Sequence, residues 1–375
     1  YTVDYDTSGQ ALNLVYSGAT IGWTPSSDIV NALEPVAPQT QKALFGYGSN
    51  ASSYFSLTNL INSSGVVATD TTGVGTARQQ VGAASYGGDK AIFGFGYDAS
   101  EANVSMTNLV NNSGVVAADV TGVGTARREL AAAAYGGDKA LFGYGNTGSN
   151  SSLTNLVSNS GVVASDTTGV GTARVRLAAA GYGGDKAIFG YGDTGSAVSM
   201  TNLVNNSGVV ATDVTGVGTA RSGPAAAGYG VGLAIFGYGY AGGYVSMTNL
   251  VNNSGVVATD VSGVGTARDQ LAAAAYGSTG QAIFAYGSTG SSVSISNLVS
   301  SSGVVASDVS GVGTARKDLA ATNYGGDKAI FGYGNSGSIT NISNLVNNNG
   351  VVASDTTGVG TSRYRLGAAG YSISA

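Results

Sequence analysis

Between residues 177 and 214 the hydrophobic pattern changes character four times, and a turn signal marks each change. LAAAGYG (177–183) is a run of small apolar residues that stops at Gly-Gly-Asp. KAIFGYG (186–192) follows the pair Gly184-Asp185, a two-residue hairpin signal. VSMTNLVNN (198–206) opens with alternating positions and meets Ser207-Gly208; GVVATDV (208–214) is β-branched and closes into TGVGTAR. Short alternating or apolar runs bounded by such turns predict four strands joined by tight connections. The unit is an antiparallel meander of about 47 residues.

The same text recurs. Its hexapeptide Ala-(Ile/Leu)-Phe-(Gly/Ala)-(Tyr/Phe)-Gly places Phe at 45, 93, 142, 189, 236, 284 and 331. A second anchor, Thr-(Ala/Ser)-Arg, places Arg78, Arg127, Arg174, Arg221, Arg268, Arg316 and Arg363. Seven four-stranded units of this length match the blades of a β-propeller. The first strand is rich in Ala because innermost strands converge on an axis, where bulky side chains would collide. Phe189 and Tyr191 stand two apart and are expected to share one face of their strand. Gly190 and Gly192 would leave the opposite face bare, so that rings of one sheet rest on exposed backbone of the next.

The ends of the repeat region point to closure. Its first element is a second strand, QKALFGYG (41–48), and its last is a first strand, RLGAAGYS (365–372). Pairing the two would complete a split blade from 41–78 and 364–375 and leave no open sheet end. The expected fold is therefore all-β: a seven-bladed propeller over 41–375, closed by its N- and C-terminal strands. Residues 1–40 lack the repeat and hold Pro25, Pro35 and Pro38 and the single Trp, Trp23. They read as an arm with a short strand (11–16) and a short helix (26–34), either a plug on the propeller or an anchor to a larger assembly.

TARVRLAAAGYGGDKAIFGYG (172–192) resembles the kelch repeat, with its Arg, small-residue strand, hairpin and apolar strand ending in glycines. The resemblance covers about residues 41–372 and implies four-stranded propeller blades. It departs where Gly-Tyr-Gly replaces the diglycine and where the later Tyr and Trp of kelch blades are absent. The copper chemistry of some kelch propellers needs His and Cys, which this chain lacks. The regular array also resembles repeat proteins of tailed phages of marine bacteria, which implies a virion component.

Composition narrows the chemistry. The 375 residues include 61 Gly, 4 Pro and only 10% charged residues, with Gly in no three-residue period. That excludes a collagen-like chain, and the regular aromatic positions argue against disorder. No apolar run approaches a membrane span, so membrane insertion is not expected. With 0 Cys and 0 His, thiolate metal sites, disulfides and the commonest general base are missing. A net charge of −5 offers no footprint for nucleic acid.

Two features could carry function. The loops between second and third strands vary most, from SNASSYFS (49–56) to YAGGYVS (240–246). Variable loops on a fixed scaffold are where recognition sits, although tolerant loop tips also drift. Tyr54, Tyr97, Tyr240 and Tyr244 are the loop aromatics suited to stacking on sugars. The seven Arg each follow an Asp by eight residues: Asp70, Asp119, Asp166, Asp213, Asp260, Asp308 and Asp355. Either they form a charged ring that captures an anion, or each Asp caps its own turn while each Arg pins a neighbouring blade. One Asp per turn supplies too few hard oxygens for calcium, and no cofactor or metal site is expected.

These readings converge on a non-enzymatic structural and adhesive protein of a virion or extracellular surface, such as a head decoration, tail fibre or knob. Its expected partners are assembly proteins bound through the arm and a cell-surface glycan. The alternative is a carbohydrate-binding, lectin-type propeller.

Overall fold

The computed structural model describes residues 12–16, 23–28 and 40–373. The described residues form strands, turns and irregular connections, without a helix. Seven antiparallel sheets of three strands recur along the chain. Sheet 1 joins Gly367–Ile373 to Thr40–Gly46 and Thr58–Ile61. Sheets 2 to 4 comprise Gly82–Tyr86, Lys90–Gly94 and Thr107–Val110; Ala131–Tyr135, Lys139–Asn146 and Asn150–Val157; and Ala178–Tyr182, Lys186–Gly190 and Thr201–Val204. Sheets 5 to 7 comprise Ala225–Tyr229, Leu233–Gly237 and Thr248–Val251; Ala272–Tyr276, Gln281–Ala285 and Ser296–Val299; and Ala320–Tyr324, Lys328–Asn335 and Ile339–Val346. The architecture is all-β and compatible with a repeat β-propeller.

The first strands of successive sheets touch one another in chain order, and Ala320–Tyr324 of sheet 7 touches Gly367–Ile373 of sheet 1. Seven apolar clusters fill the seven spaces between neighbouring sheets. In sheet 1 the pairing of the two distant strands runs in register from Thr40↔Ile373 to Gly46↔Gly367.

In six of the seven seams one Phe lies on the bare backbone of a glycine. A Cβ added to Gly143 would stand 2.5 Å from Cζ of Phe189, so a side chain there would force the ring to move. Ala285 occupies the equivalent position in sheet 6, and there the rings of Tyr286 and Phe331 stand 5.6 Å apart. At the Tyr144–Phe189 seam the separation is 5.1 Å. One methyl group accounts for the wider gap.

Phe189 and Tyr191 do not share a face. Phe189 packs with Leu141 and Tyr144 of the preceding sheet, whereas Tyr191 packs with Phe236 of the following one. Tyr191 has φ 62°, and the equivalent aromatics of all seven repeats are likewise left-handed. In sheets 3 and 7, where the strands continue past this point, the register shifts across it. A bulge of this kind reverses the alternation of a strand, so each second strand sends one ring to each neighbour.

The expected fourth strand is also corrected. In sheet 4, GVVATDV touches the third strand only at the isolated bridges Val204↔Val210 and Thr201↔Val214. The outer segment takes one residue more between these points than the strand it faces, so a bulge separates the two bridges and the pairing there stays discontinuous. The side chain of Asn202 takes over, its Nδ2 donating to Ala211 O at 3.1 Å.

Leu12–Tyr16 pairs with Trp23–Asp28 as an antiparallel hairpin. Residues 26–28 of the expected helix are therefore extended, and 29–34 lie outside the described residues. Cross-strand pairing with LNLVY satisfies this backbone, and Pro25 within the stretch could not donate to a helical ladder.

Candidate binding face

The invariant Arg prepares the ground. Arg174 is fully buried. Its Nε donates to Tyr191 O at 2.8 Å and its Nη2 to Asn202 Oδ1 at 2.7 Å, both in the next repeat. Its Nη1 donates to Thr172 O at 3.0 Å, and its guanidinium lies 4.3 Å over the ring of Tyr144. All seven Arg of the series are fully buried, so none presents its charge to a solvent anion.

The Asp partners bridge repeats rather than cap their own turns. Asp213 accepts from the Oγ1 of Thr172 in the preceding repeat at 2.6 Å and from Nδ2 of its own Asn202 at 2.9 Å. Burial pushes the Asp213 carboxyl upward, but the Thr172 and Asn202 hydrogen bonds and Arg174 outweigh it and hold the pKa below its ordinary value. Asp70, Asp119, Asp166, Asp260, Asp308 and Asp355 are lowered in the same way.

With the Arg locked, the residue after it is fixed against the next repeat's loop. Arg128 bridges Asn146, Val175 bridges Asp193, Ser222 bridges Tyr240, and Tyr364 bridges Ser49. The inter-repeat connections and the variable loops therefore lie together on one face. The Gly-Gly-Asp-Lys hairpins occupy the other, where Gly136 N donates to Asp185 O of the next hairpin and Asn159 Nδ2 bonds Asp138.

One residue further along each connection the backbone turns left-handed: Gln80, Glu129, Arg176, Gly223, Gln270, Asp318 and Arg365 all have φ between 51° and 60°. A left-handed conformation costs a non-glycine residue about 1–2 kcal/mol. These seven are stitched to one another in places: Gly223 N donates to Arg176 O at 2.8 Å, Arg365 N to Asp318 O at 3.1 Å, and Gln80 N to Arg365 O at 3.0 Å. All seven line a single cavity of about 670 Å³ with an apolar floor that includes Leu130, Leu177, Leu271 and Leu319. That volume falls within the range of small-molecule pockets.

Charges in the cavity are mixed. Glu129 lies 3.7 Å from Arg176, whose side chain is 63% exposed. Burial raises the Asp318 carboxyl against the pull of Arg365 and Lys317. Asp269 is raised by burial and by Asp318, against Lys317 and Arg176. Among the described residues neither Asp has an ion-pair partner within 4 Å, and no group of His, Cys, Asp and Glu is placed to hold a metal.

The four loop tyrosines form two pairs. Tyr54 and Tyr97 have ring centroids 6.4 Å apart, and Arg128 covers Tyr97 at 4.3 Å. Tyr240 and Tyr244 meet edge to face at 5.6 Å and remain 42% and 37% exposed. Tyr97 lines the cavity but is half-buried, whereas the more open second pair adjoins it through Tyr240, which exchanges backbone hydrogen bonds with the lining residue Ser222. The cavity rim escapes sequence reasoning. Its one signal is Ser222-Gly223-Pro224, where a single repeat writes Gly at the left-handed position that the others fill with polar residues.

No protein-family model matches the chain, and no curated protein matches it.

Proposed function

We propose that the seven sheets close into a seven-bladed β-propeller and that the protein is a non-enzymatic structural and adhesive component of a phage virion or similar extracellular surface. The closure reading draws on the cyclic succession of sheet contacts and on the strand pairing within sheet 1. The adhesive reading draws on one observation: the loops between second and third strands differ in sequence in every repeat and vary in length, whereas four of the six hairpins on the opposite face read Gly-Gly-Asp-Lys. A repeated scaffold that diversifies its loops most on one face has the organisation of a recognition protein. Residues 1–40 serve in this reading as attachment to the particle. The exposed pair Tyr240 and Tyr244 favours a second reading, a carbohydrate-binding lectin-type propeller.

Replacing all seven variable loops by the single sequence DTGSAVS tests the adhesive reading. The expected result is an unchanged melting temperature with loss of attachment to host cells, the chain still being found in purified particles by mass spectrometry. Attachment that survives the loop replacement would remove the variable face from the proposal. Deleting residues 364–375 tests closure, with aggregation and a clear fall in melting temperature expected.

A further inference from the structure

A chain with 61 Gly places Gly at many left-handed turns, yet at the cavity rim six of seven left-handed positions carry Gln, Glu, Arg or Asp. A shared packing role does not explain them, because they differ in size and charge while the backbone around them repeats. Side-chain contacts join Gln80 to Glu129 and Glu129 to Arg176 without extending round the rim. Side chains kept at a conformational cost, converging on one cavity, point to a ligand. The seventh position, Gly223, is open: a Cβ built there meets nothing within 4 Å. It makes a notch in the rim beside Ser222, and Ser222 is hydrogen-bonded to Tyr240.

We infer that the cavity and the notch at Gly223 form one continuous site for a neutral oligosaccharide, with one sugar unit in the cavity and the next lying on Tyr240 and Tyr244. The inference rests on the reading of the variable face as a binding face and names what it binds. Three observations select the ligand class. The rim supplies planar amide, carboxylate and guanidinium groups, which pair with adjacent hydroxyls. Its charged groups, Arg128, Arg176 and Arg365 against Glu129, Asp269 and Asp318, balance, so a strongly charged ligand gains nothing from the wall. The leucine floor and the open tyrosine pair suit the apolar faces of sugar rings.

The full chain is applied to immobilised neutral oligosaccharides of glucose, galactose, mannose and N-acetylglucosamine, beside uronic-acid oligosaccharides, and hits are measured by titration calorimetry. A neutral hit is expected. The paired change Arg176→Gly with Asp318→Gly should weaken it at least tenfold without lowering the melting temperature, since glycine accepts the same backbone. Tyr240→Ala with Tyr244→Ala should weaken it to a similar degree. Three results would each overturn the inference: no neutral glycan bound, a preference for the acidic ones, or a hit that both paired variants bind unchanged. A fall in melting temperature for the glycine pair would make the rim structural and overturn it as well. Cell attachment lost on loop replacement but accompanied by an empty array would leave the adhesive reading standing and remove only this site.

Discussion

Tyr191 and Arg176 share a backbone conformation, with φ of 62° and 51°, and each belongs to a set of seven. The first set is uniform: six Tyr and Phe95. Each ring is buried against the next sheet's Phe, and an Arg guanidinium stacks over it, as Arg221 does over Tyr191 at 3.9 Å. The second set ranges over Gln, Glu, Arg, Gly and Asp and faces a cavity. The same local strain is thus offset by packing in one set and left standing in the other. A strained residue that repeats belongs to the frame; one that varies belongs to the surface the frame presents.

Matched glycine substitutions separate the two sets most sharply. Tyr191→Gly relieves the left-handed strain but empties a fully buried site, and a loss of about 3–5 kcal/mol is expected in urea unfolding. Gly143→Ala, which forces a methyl group toward Phe189, should cost about 1–2 kcal/mol, because Ala285 shows that one seam absorbs that methyl by widening. Asp318→Gly should be neutral or stabilising by up to about 1 kcal/mol at neutral pH. A loss comparable to that of Tyr191→Gly would erase the distinction.

The pH dependences should have opposite signs. Asp213 and its six equivalents have lowered folded pKa values, so their stabilisation is present above the unfolded value of about 3.9 and is lost as pH falls through the folded values. Asp318 has a raised folded pKa, so its contribution is present below the unfolded value and disappears as pH climbs through the folded one. The melting temperature of wild type relative to Asp318→Gly should therefore rise as pH is lowered from 7 toward 4, while both proteins lose stability on further acidification.

Much of the frame is legible in the sequence. Turn pairs such as Gly184-Asp185 and the recurrence of the Phe and Arg anchors locate three strands in every repeat. Strand periodicity misleads at two places, both beyond the point where it holds. Alternation puts Tyr191 on the face of Phe189 because it assumes an unbroken strand, and the flanking glycines are the available warning. GVVATDV has strand composition, but its pairing depends on a count of residues between bridges that composition does not carry. Of the candidate site, Tyr240 and Tyr244 are visible as loop aromatics, whereas Arg176 and Asp318 are not. Their meeting depends on a left-handed turn that polar residues do not advertise.

The strand pair in sheet 1 also sets how the molecule bears load. Elsewhere a first and second strand share five paired positions and a covalent turn. Here no turn joins them, and the pairing extends over seven positions. Because Thr40 lies opposite Ile373, tension applied to the flanking segments on that side would pull both strands from the same end. The pairs would then open in succession, as in a zipper, instead of resisting together in shear. A pull spread over either face would not address this clasp. Attachment through the faces and attachment through the chain ends would therefore give the same protein two different mechanical strengths.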